Sequence, residues 1–576
     1  MLDELPDVRE VTGLVRDEPL WHVHHGTHTA EAIRRPPGTS LVIEDFSVPR
    51  EHVGDVIRGL NALFDRHGMA RPAITGHLTD CTLHFMLTEK FSDQKRLRNY
   101  KRFAEGFVRL VLRKGGVLKA QYGTGRAMAP FLERQVGVEL YECMREIKHL
   151  FDPLGILNPG VIFGDVPDTH LANLKLMPTI SDSVDRCIEC GLCETACPSS
   201  ELTLSARQRI VLQREIAARR DDKELLAAVS ENFQYAAIDT CSTASMCQLA
   251  CPLGVDTGEL VRRQRSARTT EKDERNWDRA ARNWSRTTQL GAAAMSTAKR
   301  IKPLARSLLR FGRERLGGDQ VWMYTEDLPG GSSLRRRPRK ERTARDPVAA
   351  YFPGCQQTFL GASGQGVYGA FNELCTEAGV AVSLLNASEL CCGLPWSTRG
   401  MTLGQQTMQS KVRRVLAPRA GETVVVDSSS CTHALRETLA PYGEPMPRIV
   451  DVVDFVADEI LPRLTITRKL GSLLLYPSCG NSHLDNWPAL LRIADAIAEE
   501  TVVPATWTCC GAHGDRGLLH PELPRSATRL TVDEIRARHF DAHASTTRTC
   551  EVALSRVSGR RFVHLLEVLA RVHREG

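Results

Sequence analysis

The sequence predicts a multidomain protein that combines α+β and α/β folds. Its 576 residues suffice for about three or four domains, each with its own core. Two cysteine runs lie in a helical middle region, and strand-like runs alternate with helical ones in a repeated segment further along the chain. We expect an α+β domain, a helical cysteine-rich domain, a basic helical linker and two α/β modules, over residues 1–165, 166–270, 271–345, 346–460 and 461–576.

Composition narrows the class of protein. Charged residues make up 25% and hydrophobic residues 42%, as in an ordinary soluble globular protein. The net charge of +6 is small for this length and indicates no nucleic-acid partner. The acidic start "MLDELPDVREV" predicts no signal peptide, and no apolar run has the length of about 18–20 residues that a membrane span needs. We therefore expect a cytoplasmic protein.

The basic run "GGSSLRRRPRKERTARD" ends the linker segment. It is interpreted as an exposed, solvated stretch, and the alternative is docking on an anionic membrane surface or an acidic partner. The second interpretation would make the protein peripheral on the inner face of the membrane.

The run "CIECGLCETACP", from Cys187 to Pro198, has the spacing C-x2-C-x2-C-x3-C-P. Cysteine thiolates are soft ligands that suit iron–sulfur clusters. In paired runs of this kind, three close cysteines bind one cluster and the fourth crosses to the other. The predicted ligands of cluster one, a [4Fe–4S] cluster, are Cys187, Cys190, Cys193 and Cys251.

The second run, "CSTASMCQLACP", lacks one cysteine because Ala244 stands at the second position. Cluster two is expected to take Cys241, Cys247 and the crossing Cys197. The vacant corner leaves two outcomes. The cluster is [3Fe–4S], or it is [4Fe–4S] with its fourth iron held by water or by an oxygen donor such as Asp239 or Ser245.

The last two segments repeat one cysteine pattern at a distance of about 120 residues. Each copy has a lone cysteine, a Cys-Cys-Gly turn and a further cysteine, and a glycine there permits a tight turn that directs both sulfurs to one centre. Iron–sulfur or another redox metal, zinc, and thiols without metal stay open as interpretations. The cysteines are Cys355, Cys391, Cys392, Cys431, Cys479, Cys509, Cys510 and Cys550, while Cys81, Cys143 and Cys375 are predicted to be buried thiols.

Four stretches of the first domain resemble a known family. They are "RRPPGTSLVIEDFSVP", "GHLTDCTLH", "KAQYGTGRAMAPFLE" and "LFDPLGILNPG", and they resemble the C-terminal half of FAD-linked oxidases. With the clusters that follow, the chain resembles the fused D-lactate/D-2-hydroxyglutarate dehydrogenase type. Its repeats are similar to the CCG, or cysteine-rich, domains of heterodisulfide reductases and glycolate oxidase subunits. These domains close with C-x-x-C, where this chain has Ala434 and Ala553.

The resemblance implies a set of site residues. His77 and His84 take the positions of histidines that hold a divalent metal such as zinc. Tyr122 stands where the relatives have the histidine that removes the hydroxyl proton, and His24 where they have the arginine that grips the substrate carboxylate. The expected flavin contacts are Gly123 and Asn158.

The resemblance also implies a reaction. A small 2-hydroxy acid would reduce FAD, and the electrons would pass through the clusters to a quinone or cytochrome. The flavin-binding domain of the relatives is expected on a separate polypeptide or as a lost segment. The alternative is a non-catalytic electron-transfer subunit in which the first domain (residues 1–165), called the cap domain, is a relic.

Overall fold

The structure is a computed structural model that describes residues 34–77, 79–164, 166–316, 318–332, 346–362, 364–440 and 446–576. The chain divides into two compact units. The first contains the residues up to Glu189 together with Leu212–Asp222, and the second contains Cys190–Val211 and Lys223–Gly576. A multidomain chain is thus confirmed, whereas the five predicted segment boundaries stay predictions.

The first unit is built on an antiparallel sheet. Its strands are β1 (Ser40–Ser47), β2 (Ile74–His77), β3 (Thr82–Glu89) and β4 (Val117–Leu118), in the order β2-β3-β1-β4. Its core is rich in phenylalanine, contributed by alternate strand positions and by two helices: Phe46, Phe64, Phe85, Phe103 and Phe107. The helices and short helical turns are Arg50–His52, Val53–Arg66, Gln94–Arg113, Gly125–Met128, Ala129–Phe131, Leu132–Val136, Val138–Phe151 and Thr169–Leu171.

The middle of the chain is helical, as predicted. Its helices are Leu192–Glu194, Ala206–Ala218, Lys223–Phe233, Gln234–Asp239, Met246–Leu249, Thr257–Arg268, Glu271–Arg282, Trp284–Arg300 and Lys302–Leu316. Side-chain caps explain two of the starting points. The Asp256 carboxylate accepts a hydrogen bond from the Gly258 amide at 2.7 Å, and the Thr270 hydroxyl oxygen accepts one from the Asp273 amide at 3.2 Å.

The repeated segment forms two parallel sheets. Module 1 contains β5 (Ala349–Phe352), β6 (Val382–Leu384), β7 (Thr423–Val426) and β8 (Arg448–Asp451), in the order β6-β5-β7-β8. Module 2 contains β9 (Leu470–Leu475), β10 (Ala498–Val502), β11 (Ala542–Ser545) and β12 (Phe562–His564), in the order β10-β9-β11-β12. The two modules therefore share one topology, as an internal repeat predicts.

Helices complete both modules. Those of module 1 are Gln356–Phe359, Gly366–Glu377, Leu394–Ser397, Thr402–Leu416, Ala417–Arg419, Ser429–Leu439, Val452–Phe455, Val456–Ile460 and Leu461–Arg463. Those of module 2 are Cys479–Leu484, Trp487–Ile497, Arg516–Leu519, Glu522–Ala527, Arg529–Ala537, Arg548–Ser558 and Leu565–Glu575. Residues of both modules, including Phe371, Phe455, Leu475 and Leu569, belong to one continuous core.

The sheet topology explains where the repeated cysteines lie. In each module they follow the first three strands, whose carboxyl ends meet at one edge of a parallel sheet. The strand order reverses between β5 and β7 and between β9 and β11, and open α/β sheets bind ligands at such a point. Among the described residues, no helix combines the length and the apolar character needed to cross a membrane.

Candidate redox centres and substrate site

The two histidines predicted to bind a divalent metal lie on one face of the antiparallel sheet. His77 is opposite Thr82, and His84 is opposite Thr75. Directly opposed residues, and residues two apart on a strand, share a face. Asp45 of β1 is also opposite His84 and so belongs to the same face. The structure thus adds a carboxylate to the predicted histidine pair.

A buried charge cluster lies beside this face. The Lys119 ammonium is 2.7 Å from Glu44 Oε2 and 3.7 Å from Asp45 Oδ1. Burial raises the pKa of Glu44, and the nearby Lys119 opposes that shift. Glu44, Asp45 and Lys119 are not among the residues predicted from the sequence. The sequence feature that could have indicated them is the pair of acids inside the apolar strand "LVIEDFS", because buried carboxylates need a charged or hydrogen-bonding partner.

Asp45 positions the stretch that contains Tyr122. Its Oδ2 atom accepts hydrogen bonds from the amides of Gln121 and Tyr122, at 2.5 and 3.1 Å. The Tyr122 ring lies edge-on to the His84 ring, with 6.5 Å between their centroids. Burial, and then the charge of Asp45, raise the pKa of Tyr122 above its ordinary value of 10.0. The phenol is therefore protonated at neutral pH and donates a proton more readily than it removes one.

The remaining residues predicted for this site are Asn158, Gly123 and His24. Asn158 adopts a left-handed backbone with φ of 48°, followed by Gly160 with φ of 70°. The position of a Cβ atom on Gly123 is open space, which leaves room for a ligand. His24 lies outside the described residues.

An apolar surface leads up to Asn158. The helix Val138–Phe151 buries none of its residues. Eight large apolar side chains on this helix and the segment after it are 50–82% exposed. We call them the 138–157 surface: Val138, Leu140, Ile147, Leu150, Phe151, Leu154, Ile156 and Leu157. Apolar surfaces of this extent are typical of interfaces.

The second cysteine run brings the predicted ligands of cluster two together. Burial, the nearby Asp256 carboxylate and then the thiols of Cys241 and Cys197 raise the pKa of Cys247. Cys197, which is distant in sequence, therefore lies beside the two later cysteines, as the crossing pattern requires. Three grouped sulfurs suit a cluster that has one further corner.

The loop around Ala244 has the backbone of the complete motif. In the first run, Glu189 and Gly191 are left-handed, with φ of 62° and 89°. Thr243 and Ser245, at the equivalent positions, both have φ of 53°. This conformation is unfavourable for residues other than glycine and is retained mainly at functional sites. Ala244 therefore occupies the place that Cys190 occupies in the first run.

The ligand set of cluster one stays a prediction. Cys187 belongs to the first unit, and Cys190, Cys193 and Cys251 belong to the second. Within the first unit, Arg214 donates hydrogen bonds to the Cys187 carbonyl at 3.0 Å and to the Glu189 carboxylate at 2.7 Å.

The eight cysteines of the repeat are buried and lie close together within each module, where Cys392 hydrogen-bonds with both Cys391 and Cys431. Sulfur–sulfur distances are 3.6 Å for Cys355 and Cys391, 3.5 Å for Cys392 and Cys431, and 3.2 Å for Cys510 and Cys550. Cys479 and Cys509 also form a hydrogen-bonded pair. The glycines that follow the Cys-Cys pairs, Gly393 and Gly511, are left-handed, with φ of 95° and 72°. The predicted tight turn is present in both modules.

In the part of the chain that the structure describes, no three His, Cys, Asp or Glu side chains are arranged to hold a single metal ion. Outside these sites, Cys81 and Cys375 are buried as predicted, whereas the prediction for Cys143 was wrong. It is exposed because the helix Val138–Phe151 buries no residue.

Three histidines lie near the cysteines and were missed. His483 Nε2 is 2.8 Å from the Ala244 carbonyl oxygen, and the His483 and His433 rings stack at 4.4 Å. His513 Nδ1 is 3.8 Å from Cys479 Sγ. Burial lowers the pKa values of His433 and His513 to about 4, so both are neutral at pH 7. Their signal in the sequence is their position two to four residues after a predicted cysteine ligand.

An apolar cavity of about 900 Å³ adjoins module 1. Its wall includes Cys355, Cys392 and Cys431 and the aromatic residues Trp277, Trp284, Trp322 and Phe359. The helix Lys302–Leu316 contributes Ala305, Leu308 and Leu309. On the same helix, Leu304, Leu308 and Phe311 are each 57% exposed. The cavity wall therefore continues into an exposed apolar face.

Comparison with known domain families finds three matches. FAD linked oxidases, C-terminal domain, matches residues 9–162; the 4Fe-4S dicluster domain matches 183–255; and the cysteine-rich domain matches 349–436. The chain carries these domains in the predicted order.

The relatives are oxidoreductases by name. The chain is 26% identical over 267 residues to a D-2-hydroxyglutarate dehydrogenase of Haemophilus influenzae, an alignment that covers 37% of this chain and 26% of the relative. It is 29% identical to a glycolate oxidase subunit of Bacillus subtilis, over 22% of this chain and 26% of the relative. It is 26% identical to a mitochondrial D-lactate dehydrogenase [cytochrome] of Arabidopsis thaliana, over 28% of this chain and 26% of the relative. The chain thus spans about a quarter of the length of these relatives.

Proposed function

We propose that the protein is an iron–sulfur oxidoreductase of the FAD-linked 2-hydroxy-acid dehydrogenase type. A small 2-hydroxy acid, D-lactate or D-2-hydroxyglutarate, is its substrate. FAD, when bound, accepts hydride from the substrate and passes single electrons to the iron–sulfur clusters. The combination of three redox domains in one chain and the names of the relatives support this function.

The observation that carries the proposal is the 138–157 surface. A helix whose residues are all at least partly exposed gains little stability from burial within its own unit. The surface leads directly to Asn158, where the resemblance places flavin. Because the first matched domain is the C-terminal part of an FAD-linked oxidase, we assign the surface to a flavin-binding domain of that class. That domain is a separate polypeptide or another part of a longer chain.

The residues of the cap domain have defined tasks in this proposal. His77 and His84 would hold a divalent metal, such as zinc, that binds the substrate oxygens. Asp45 fixes the backbone at Gln121 and Tyr122, so the Tyr122 phenol is held close to His84. The phenol donates a hydrogen bond to bound substrate, and Gly123 leaves space for it.

One observation favours a second function, that of a non-catalytic electron-transfer subunit. Tyr122 stands at the position of the base, and its raised pKa opposes removal of a hydroxyl proton near pH 7. In this case the clusters still carry electrons, while the cap domain only docks the flavin domain.

The apolar cavity favours a quinone over a cytochrome as the electron acceptor. Its volume and aromatic wall suit a flat ring with an apolar tail. Three thiols of module 1 lie in its wall, so the ring would bind next to a redox centre. A cytochrome would dock on a polar surface instead.

The helix Lys302–Leu316 is the proposed contact with the membrane. Its exposed Leu304, Leu308 and Phe311 alternate with several arginines, a pattern typical of interfacial helices. The protein would then be cytoplasmic and peripheral on the inner face of the membrane, and a quinone could enter the cavity beside Leu308.

Reconstitution tests the first half of this function. A flavin-binding domain of the FAD-linked oxidase class serves as the probe, and D-2-hydroxyglutarate is added without oxygen. We expect flavin absorption to bleach and reduced-cluster electron paramagnetic resonance (EPR) signals to appear. Leu154→Asp should weaken binding of the domain at least tenfold, whereas Leu530→Asp, which changes an exposed leucine of module 2, should not. Dithionite-reducible clusters without substrate bleaching would favour the second function.

A matched pair of variants tests the acceptor. Leu308 lines the cavity and Leu304 does not, although both are 57% exposed on one helix. Leu308→Glu should slow reoxidation of the dithionite-reduced protein by decylubiquinone several-fold, and Leu304→Glu should not. Both variants should bind anionic vesicles less tightly. Equal quinone kinetics in both variants would contradict the cavity assignment.

A further inference from the structure

The vacant corner of cluster two faces two cysteines of module 2. Ala244 and Met246 share one buried apolar cluster with Cys479 and Cys509. Ala244 is 4% exposed and Cys509 is 2% exposed, so both residues are buried. Two thiols therefore lie where the second run lacks its own.

Cys509 is linked to a predicted ligand of cluster two. Its thiol interacts electrostatically with that of Cys241, a predicted ligand of this cluster, in addition to its contact with Cys479. The loop around Ala244 has the left-handed residues of the complete cluster-binding run on both sides, Thr243 and Ser245. A loop of that shape without a fourth ligand nearby would retain strain for no gain.

The oxygen donors considered from the sequence have other partners. Ser245 Oγ donates to both carboxylate oxygens of Asp256 at 2.9 Å. Asp239 accepts a hydrogen bond from the Gln234 amide at 2.6 Å. A soft thiolate is also the better ligand for iron in a sulfide cluster.

We propose that Cys509 supplies the fourth thiolate of cluster two. Ligation replaces its S–H bond by an S–Fe bond and releases one proton. Cluster two is then a complete [4Fe–4S] cluster that joins the dicluster domain to module 2. Module 2 keeps Cys479, Cys510 and Cys550, with His513 3.8 Å from Cys479 as a neighbouring donor.

The inference rests on the iron–sulfur part of the proposed function and not on substrate oxidation. Its readout is the EPR spectrum of the isolated protein after brief oxidation with ferricyanide, together with iron content. Failure of the dehydrogenase proposal would appear as unbleached flavin and would leave this readout unchanged.

We expect the wild-type protein to give little [3Fe–4S] signal. Cys509→Ser should give a strong one, at least tenfold larger, with the loss of about one iron per chain. The control Cys375→Ser changes a buried thiol in the core of module 1, outside the candidate centres, and should not produce this signal. Circular dichroism verifies that the variants are folded.

Rescue makes the test specific. Ala244→Cys combined with Cys509→Ser places a ligand at the position of the complete motif, so the [4Fe–4S] spectrum should return. A variant that had merely misfolded would not be rescued. A strong wild-type [3Fe–4S] signal that Cys509→Ser leaves unchanged would overturn the proposal, as would its appearance in Cys479→Ser alone.

Discussion

Modules 1 and 2 have the same strand order and the same cysteine pattern, yet their cysteines have different surroundings. Three cysteines of module 1, Cys355, Cys392 and Cys431, lie in the wall of an apolar cavity that includes Trp277, Trp284 and Trp322. Two cysteines of module 2 pack against Ala244 of the dicluster domain. A repeated fold thus presents the same chemical group to a space for a small molecule in one copy and to another redox centre in the other.

Under the proposed function, this difference corresponds to a direction for electrons: the copy beside cluster two receives them, and the copy beside the cavity delivers them. This division needs no difference in topology, because both modules have the same strand order.

Equivalent cysteine substitutions should have the largest effects and should separate the modules. We expect Cys355→Ser, at the position equivalent to Cys479, to slow decylubiquinone reduction at least tenfold while the EPR signal of cluster two is kept. Cys479→Ser, in module 2, should change the line shape of the cluster two signal itself. Cys375→Ser, in the core of module 1, is the control and should leave iron content unchanged. Identical effects of the first two variants would remove the distinction.

The fourth strands supply a pH test of the same comparison. Asp451 ends β8 and accepts from the Val453 amide at 3.0 Å, and His564 ends β12 and accepts from the Leu566 amide at 3.2 Å. Burial raises the pKa of Asp451 to about 7 and lowers that of His564 to about 3.

The two groups should act on stability with opposite sign. Folded Asp451 binds more protons than the unfolded chain, so its contribution is present below pH 3.8 and is lost as the pH rises towards 7. Folded His564 binds fewer protons than the unfolded chain, so its contribution to stability is present above pH 6.5 and is lost as the pH falls towards 3. Asp451→Asn should raise the free energy of unfolding most near pH 7.5. His564→Asn should raise it, relative to the wild-type protein, below pH 5. Each gain should be on the order of a few kcal/mol, measured by denaturant unfolding.

The smallest expected effect concerns the turn glycines. Alanine at either position must adopt a left-handed backbone, which costs about 1 kcal/mol of unfolding free energy. A Cβ atom on Gly511 would also lie 3.0 Å from Leu523 Cγ, while a Cβ on Gly393 would meet no atom within 4 Å. Gly511→Ala should therefore destabilise the protein more than Gly393→Ala. Equal midpoints in urea would show that the packing of the two turns does not differ in effect.

Features that depend on local sequence patterns could be predicted. The cysteine spacing, the two Cys-Cys-Gly turns and the alternation of strands and helices predicted the dicluster domain and the repeated α/β topology. The environment of Ala244 could not be predicted, because Cys509 lies far along the chain and only tertiary packing brings the two residues together. The role of Lys119 could not be predicted for the same reason, since its partners are on β1.

The shared core of the two modules has a consequence for how they evolve and how they can be cut apart. The helices Gly366–Glu377 and Leu565–Glu575 pack against each other, and Glu373 pairs with Arg574 at 3.3 Å. A fragment that ended near residue 460 would lack the residues that module 2 contributes to this core, including Leu475 and Leu569. Loss or exchange of either module therefore removes part of the apolar packing of the other.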